Sequence, residues 1–287
     1  MYGYFTEKDL KDSFYTDLAC ERRRADTDVD GVEYKREMSI GGSWERIRIT
    51  SKPGADTIGR PIGVYNTLEV ARMDLLDDEA IRDATEEIAN ELCYIFDISD
   101  IFPGRILIAG LGNPLLTPDA IGYESAKNVK ATMHIKEFDE AFFKSLNCAE
   151  IAVCTPGVNA ATGMDAAVFI RGLCNEIKPD AVIAIDALSS RSAKRLGTTV
   201  QICNTGITPG SGLGNAKNAI NKTTVGVPVI AVGVPTVIDS RCFKNPNEEG
   251  LYRESSMMVS PKEINEITDI AARIIGNGIN TAFGIYG

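Results

Sequence analysis

Short apolar, β-branched runs alternate with stretches of helical spacing along most of this chain. Strand character first shows at Trp44–Thr50, followed by loop signals at Lys52-Pro-Gly-Ala-Asp56 and Gly59-Arg-Pro61. From about Asp77 to Phe96, Ile81, Ile88, Leu92 and Ile95 recur with the period of an amphipathic helix whose other face is acidic. Beyond residue 105 the pattern becomes regular. Arg105–Ala109, Ile151–Cys154, Ala181–Ile185, Val200–Cys203 and Pro228–Val232 read as strands, and 119–131, 137–146 and 163–177 as helices. Continuous apolar strands interleaved with helices predict an α/β fold of three layers, a mostly parallel sheet with helices on both faces. In the final helix Ser260 as N-cap, Pro261 and Glu263 spell a capping box, and Ile264, Ile267, Ala271 and Ile274 form the apolar stripe. Gly276 and Gly278 are expected to mark its end.

Residues 1–30 lack this periodicity and carry Glu21-Arg-Arg-Arg24, which predicts an exposed arm ahead of one undivided domain. At 287 residues and 44% hydrophobic content the chain can bury a large core. No run approaches the roughly 18 apolar residues that cross a bilayer, and Met1-Tyr-Gly-Tyr-Phe-Thr-Glu-Lys8 lacks the features of a secretory signal. A cytoplasmic protein without membrane contact is expected. The net charge of −10 disfavours direct nucleic-acid binding. Seven cysteines, odd in number and without a CxxC pair, read as small buried hydrophobes in a reducing compartment. With one histidine, His134, and no paired cysteine spacing, no metal or cofactor is expected.

In an open α/β sheet, ligands sit beyond the carboxyl ends of the strands, so the residues leaving those ends are the chemical candidates. They include Gly110-Leu-Gly-Asn113 leading to Asp119, Thr155-Pro-Gly157, Asp186-Ala-Leu-Ser-Ser-Arg191, and Asn204-Thr-Gly-Ile-Thr208 leading to Gly212-Leu-Gly214. Asp186 directly follows five apolar strand residues, where a carboxylate is costly to bury without partners. Asp119 in Thr117-Pro118-Asp119 reads equally as the second residue of a helix, favourable to the helix dipole. Together the two carboxylates make an acid/base pair. The glycine loops Gly110, Gly112 and Gly212, Gly214 lack the GxGxxG spacing and read as tight turns that let backbone approach a ligand.

Read in order, Gly110-Leu-Gly-Asn with Thr117-Pro-Asp-Ala-Ile-Gly, Thr155-Pro-Gly-Val, Asp186-Ala-Leu-Ser-Ser-Arg and Thr205-Gly-Ile-Thr-Pro-Gly-Ser-Gly-Leu-Gly-Asn resemble the germination proteases of spore-forming Firmicutes. Val227–Asp239 and the segment from Met258 extend the resemblance, which runs from about residue 16 to the C-terminus. It implies a fold like that of the hydrogenase maturation proteases and an aspartic-type endopeptidase that degrades small acid-soluble spore proteins in the spore core. It also implies a homotetramer, a self-processing zymogen, and catalytic roles for Asp119 and Asp186. Family substrates are cut within sequences like Thr-Glu-Phe/Ile-Ala-Ser-Glu, and Thr16-Asp-Leu-Ala-Cys-Glu21 matches that pattern. By resemblance, self-cleavage falls between Asp17 and Leu18, leaving residues 1–17 as a propeptide and 18–287 as the peptidase. The chain reads Asn204 and Thr208 where the family pattern has Asp and His. Two other readings stand beside this one: a metal-assisted processing peptidase with Asp119 and Asp186 as oxygen ligands, and a non-catalytic protein whose glycine loops hold a small anion.

Overall fold

The computed structural model describes residues 16–22, 29–211, 218–243 and 257–285. Its first element is a single turn, α1 (Ala19–Arg22), followed by the hairpin β1 (Val32–Ser39) and β2 (Gly42–Ile49), helix α2 (Lys52–Ile58) and strand β3 (Gly63–Glu69). The long acidic helix α3 (Asp78–Ile98) leads to β4 (Arg105–Gly110), then α4 (Ile121–Asn128), α5 (Met133–Phe138), α6 (Glu140–Leu146) and β5 (Glu150–Cys154). Next come α7 (Asn159–Thr162), α8 (Ala166–Ile177), β6 (Ala181–Ser190), β7 (Thr199–Cys203), α9 (Lys222–Val225) and β8 (Val229–Asp239). The described chain closes with β9 (Met258–Val259) and α10 (Ile264–Ala282).

Among the described residues nine strands form one sheet, in the order β1-β2-β3-β7-β8-β6-β4-β5, with β9 paired to β8. Strands β5, β4, β6 and β8 are mutually parallel, as their uninterrupted apolar sequences require. From β7 outward through β3, β2 and β1 the pairing is antiparallel, so the sheet is mixed. The edge strand β1, Val-Glu-Tyr-Lys-Arg-Glu-Met-Ser, is largely solvated; its charges suit an unpaired edge and hide it from a search for apolar runs. Helices cover both faces. Ile106, Ile108, Ile183, Ile185 and Val232 pack with Ile88, Leu92, Ile274 and Ile275 of α3 and α10. Leu107, Ala109, Val182 and Ala184 pack on the opposite face with Ile170 and Cys174 of α8.

Local chemistry moves several boundaries. Lys52–Asp56, expected as loop, lies in α2, because Ser51 caps it by accepting from Gly54 N and Pro53 suits the first turn. Helix 137–146 breaks at Asp139, which instead caps α6 through Phe142 N. The last helix starts at Ile264 without a side-chain cap, so the Ser260 capping box does not form. Nor do Gly276 and Gly278 end it. A Cβ on Gly276 would sit 2.4 Å from Asn128 Cβ of α4, and one on Gly278 would sit 2.8 Å from Ile88 Cγ2 of α3. These glycines let three helices cross closely on one face of the sheet.

Candidate active site

Asp186 lies inside β6, which runs five residues beyond the expected end at Ile185 and is paired to β8 along its length. Only 5% exposed, it directly faces Gly233 of β8 in the register. Asp119 approaches from the loop after β4. It ends a 3-10 turn, Thr117–Asp119, and therefore precedes α4 rather than occupying its second position. Its Oδ2 accepts from Asn113 N at 2.9 Å, and the same N–H approaches the Asp119 carbonyl at 3.0 Å. Gly112 makes this possible: with φ +94° and Asp119 O 1.9 Å from where a Cβ would stand, no side chain fits. Thr236 Oγ1, on β8, donates to Pro118 O at 2.6 Å and fixes the turn against the sheet.

Both aspartates line one cleft of about 310 Å³, with Gly112, Gly157, Pro209 and Gly210 around it. Leu111, Leu116, Val158, Leu188 and Met258 give it apolar walls. The other residues expected at the cleft divide. Gly110 ends β4, where its missing Cβ admits the Gly122 carbonyl of α4. Asn113 holds Asp119, and Arg191 contributes its backbone nearby. Asn204 is not at this cleft: it binds Val64 N and donates to Ser99 Oγ. The cause is strand direction, because β7 runs antiparallel to β8 and its carboxyl end lies at the opposite edge of the sheet. The loop that follows returns, bringing Pro209 and Gly210 to the aspartates and Thr208 and Ser211 to an adjoining cavity of about 80 Å³. Gly212 and Gly214 lie outside the described residues. His134 is exposed on α5.

The largest departure concerns the expected arm. Residues 16–22 are not exposed: Thr16, Leu18 and Ala19 have no accessible surface, and Asp17 lines the cleft beside Asp119 and Asp186. The segment lies against the carboxyl end of β6 and the middle of β7. Asp17 N donates to Ser189 O at 3.0 Å, while Ser189 N (2.9 Å) and Ser211 Oγ (2.6 Å) donate to the Asp17 carboxylate. Gln201 takes the backbone on either side of Leu18, donating to Asp17 O at 3.2 Å and accepting from Ala19 N at 2.8 Å. Glu21 sits in a clamp, its oxygens accepting from Ser190 Oγ (2.6 Å), Arg191 N (2.7 Å) and Ser192 N (3.0 Å). Ala19 joins Ile47, Ile49, Ile58 and Tyr65 in a small core of its own.

Positive charge surrounds the upstream end of this segment. Arg22 and Arg60 both donate to Thr16 O, and Arg60 stands 3.7 Å from the Asp17 carboxylate. Burial and the neighbouring Arg60 and Arg191 push Arg22 down to about 10. Burial pushes the Cys20 thiol up to about 11 and Cys154 to about 12, which keeps both as neutral, packed side chains. All seven cysteines are free. Among the described residues no three His, Cys, Asp or Glu side chains converge in a metal-holding arrangement, and no helix is long and apolar enough to cross a membrane.

Gln201 and Arg60 escaped the search of strand ends, while Ser189 and Ser211 lay within the stretches it named but were given no part. For Gln201 the signal existed, since a polar residue inside Thr199-Val-Gln-Ile-Cys203 is the same anomaly that singled out Asp186. Arg60, Ser189 and Ser211 act through residues 16–22, whose docking no local pattern announces.

Comparison with known proteins gives a consistent result. A family model described as germination protease matches residues 11–246. A germination protease of Caldanaerobacter subterraneus is 37% identical over 254 residues, covering 87% of this chain and 76% of its own. That of Clostridium perfringens is 32% identical over 308 residues, covering 93% and 94%. The Bacillus subtilis protein is 36% identical over 233 residues, covering 78% and 63%. Among solved structures, a [NiFe] hydrogenase maturation protease, HycI from Thermococcus kodakarensis, aligns at a TM-score of 0.38 and 18% identity over 66% of this chain and 99% of that one.

Proposed function

The chain belongs to the germination protease family, and on that premise we propose that it is an aspartic-type endopeptidase, made as a zymogen, that first cuts itself between Asp17 and Leu18. The carrying observation is the docked segment itself: residues 16–18 lead into the turn α1 with the backbone on either side of Leu18 gripped by Gln201, and Asp17 lies in the cleft that holds Asp119 and Asp186. A cleft that already accommodates a peptide of this chain can accommodate the same pattern in another protein. The substrates proposed are the small acid-soluble spore proteins, met in the spore core. Residues 1–17 are then the propeptide and 18–287 the peptidase, working as a homotetramer to which the exposed Phe138 and Phe142 offer apolar surface.

Water is the nucleophile. Asp119, held as an acceptor by Asn113 N–H, takes a proton from water as its oxygen adds to the carbonyl carbon of residue 17. Asp186, buried within β6, gives its proton to the nitrogen of Leu18 as the C–N bond breaks. Proton exchange with solvent resets the pair. Incubating the full-length chain and reading intact mass tests the proposal. A product beginning at Leu18, formed with or without EDTA, is expected; an unchanged mass, or a cut elsewhere, rejects it.

A further inference from the structure

Asp186 on β6, Gly233 on β8 and Gln201 on β7 stand in one row across three neighbouring strands, Asp186 opposite Gly233 and Gly233 opposite Gln201. Residues in a row share a face of the sheet, so the two side chains rise on the same side about 10 Å apart, two strand spacings of ~4.8 Å. That separation admits one extended peptide between them. Gly233 has no side chain to fill the gap; a Cβ there would stand 2.6 Å from Leu188 Cγ, so its absence lets Leu188 form an apolar floor. Over this floor runs the backbone of residues 17–19, and what reaches it from the far side is the Gln201 amide. The residue is 7% exposed, and both polar ends of its side chain are used on that backbone.

We propose that Gln201 is a catalytic residue that binds the carbonyl oxygen of the cleaved bond through Nε2–H and stabilises the negative charge that gathers there as water adds. The inference rests on the reading of Asp17–Leu18 as the cleaved bond. Its geometry is that of an oxyanion donor: a neutral N–H, held in a buried setting, 3.2 Å from the Asp17 carbonyl oxygen before reaction. The Oε1 end, accepting from Ala19 N, orients the amide so that Nε2 and not Oε1 faces the carbonyl. The division of labour is then complete. Asp119 removes the proton from water, Gln201 holds the oxygen that gains charge, and the proton of Asp186 remains available for the leaving nitrogen. Because Gln201 reaches the segment through main-chain hydrogen bonds, it serves any peptide that lies in this register, in cis or in trans.

Two variants of the full-length chain separate donation from docking. Gln201→Glu keeps the acceptor for Ala19 N–H and loses the donor; Gln201→Met keeps the shape and loses both. Self-cleavage is followed by intact mass, and docking of residues 16–22 by hydrogen exchange of their amides in the same samples before cleavage. Cleavage at Asp17–Leu18 slowed by roughly 10²–10³ in Gln201→Glu, with amide protection retained, is expected for the loss of one oxyanion donor. Wild-type cleavage rates in that variant overturn the role of Gln201 and leave the aspartate mechanism standing. Loss of protection in parallel with loss of cleavage in both variants also overturns it, reducing Gln201 to an anchor. Wild-type protein that does not cut after Asp17 fails the premise first, and that failure is visible without any variant.

Discussion

Replacing Glu21 by Gln tests whether the clamp at the end of β6 holds residues 16–22 in the cleft. The carboxylate accepts from Ser190 Oγ, Arg191 N and Ser192 N and is nearly inaccessible, 6% exposed at its side chain. Hydrogen bonds to a charged group contribute about 1.5–3 kcal/mol each. Glutamine retains one acceptor oxygen, which can serve Ser190 and Ser192, but its NH₂ then meets the Arg191 N–H donor to donor. One charge-assisted bond is lost outright and the others weaken, a cost of about 3 kcal/mol, or roughly two powers of ten in the docking constant. The Ala19 amide, protected by Gln201 Oε1 only while the segment is docked, reads that constant directly. Its exchange in Glu21→Gln is expected to accelerate about 100-fold, with self-cleavage slowing as the segment leaves the cleft. Unchanged exchange and unchanged cleavage would refute the reasoning, because the clamp would then contribute nothing to docking.

Gly276→Ala places a Cβ 2.4 Å from Asn128 Cβ; overpacking of about 1–3 kcal/mol outweighs the ~1 kcal/mol gain in helix propensity, and a thermal midpoint lower by about 2–4 °C is expected in calorimetry. The buried thiols of Cys20 and Cys154 stay neutral to about 11 and about 12, whereas in the unfolded chain they ionise near 9.0. Their contribution to stability is therefore intact below pH 9.0 and lost as the pH rises towards 11 and 12. The thermal midpoint should fall across that window, and fall less in a Cys20→Ala/Cys154→Ala variant.

The parallel half of the sheet was legible because β4, β6 and β8 are buried on both faces and, with the half-buried edge strand β5, show it as apolar runs. Of the antiparallel half only β2 and β7 were read as strands. β1 is a charged edge, β3 mixes Gly, Asn and Thr with its apolar residues, and the direction of β7 is set by tertiary pairing that leaves no mark on five residues. Misreading that direction put Asn204 at the cleft. Asp186 stood out because a carboxylate in an apolar strand breaks a local rule, whereas Asp119 obeys the rule for a helix start and was singled out by its place on a strand-end loop and by the family resemblance. The docking of Thr16–Arg22 is the opposite case. Apart from Arg60, its hydrogen-bond partners on other elements lie more than 160 residues away, at Ser189, Ser190 and Gln201 among others, so a charged, aperiodic segment looked like solvated chain.

The most direct test of the paired acids is the rate of self-cleavage in Asp119→Asn and in Asp186→Asn, each checked for an unchanged thermal midpoint and for protection of the Ala19 amide. Loss of a positioned acid or base costs about 10²–10⁴ in rate, so each single variant should keep the segment docked and leave the Asp17–Leu18 bond intact over the time in which the parent chain is fully processed. Processing by either variant at close to the parent rate would show that its carboxyl group takes no part in breaking the bond.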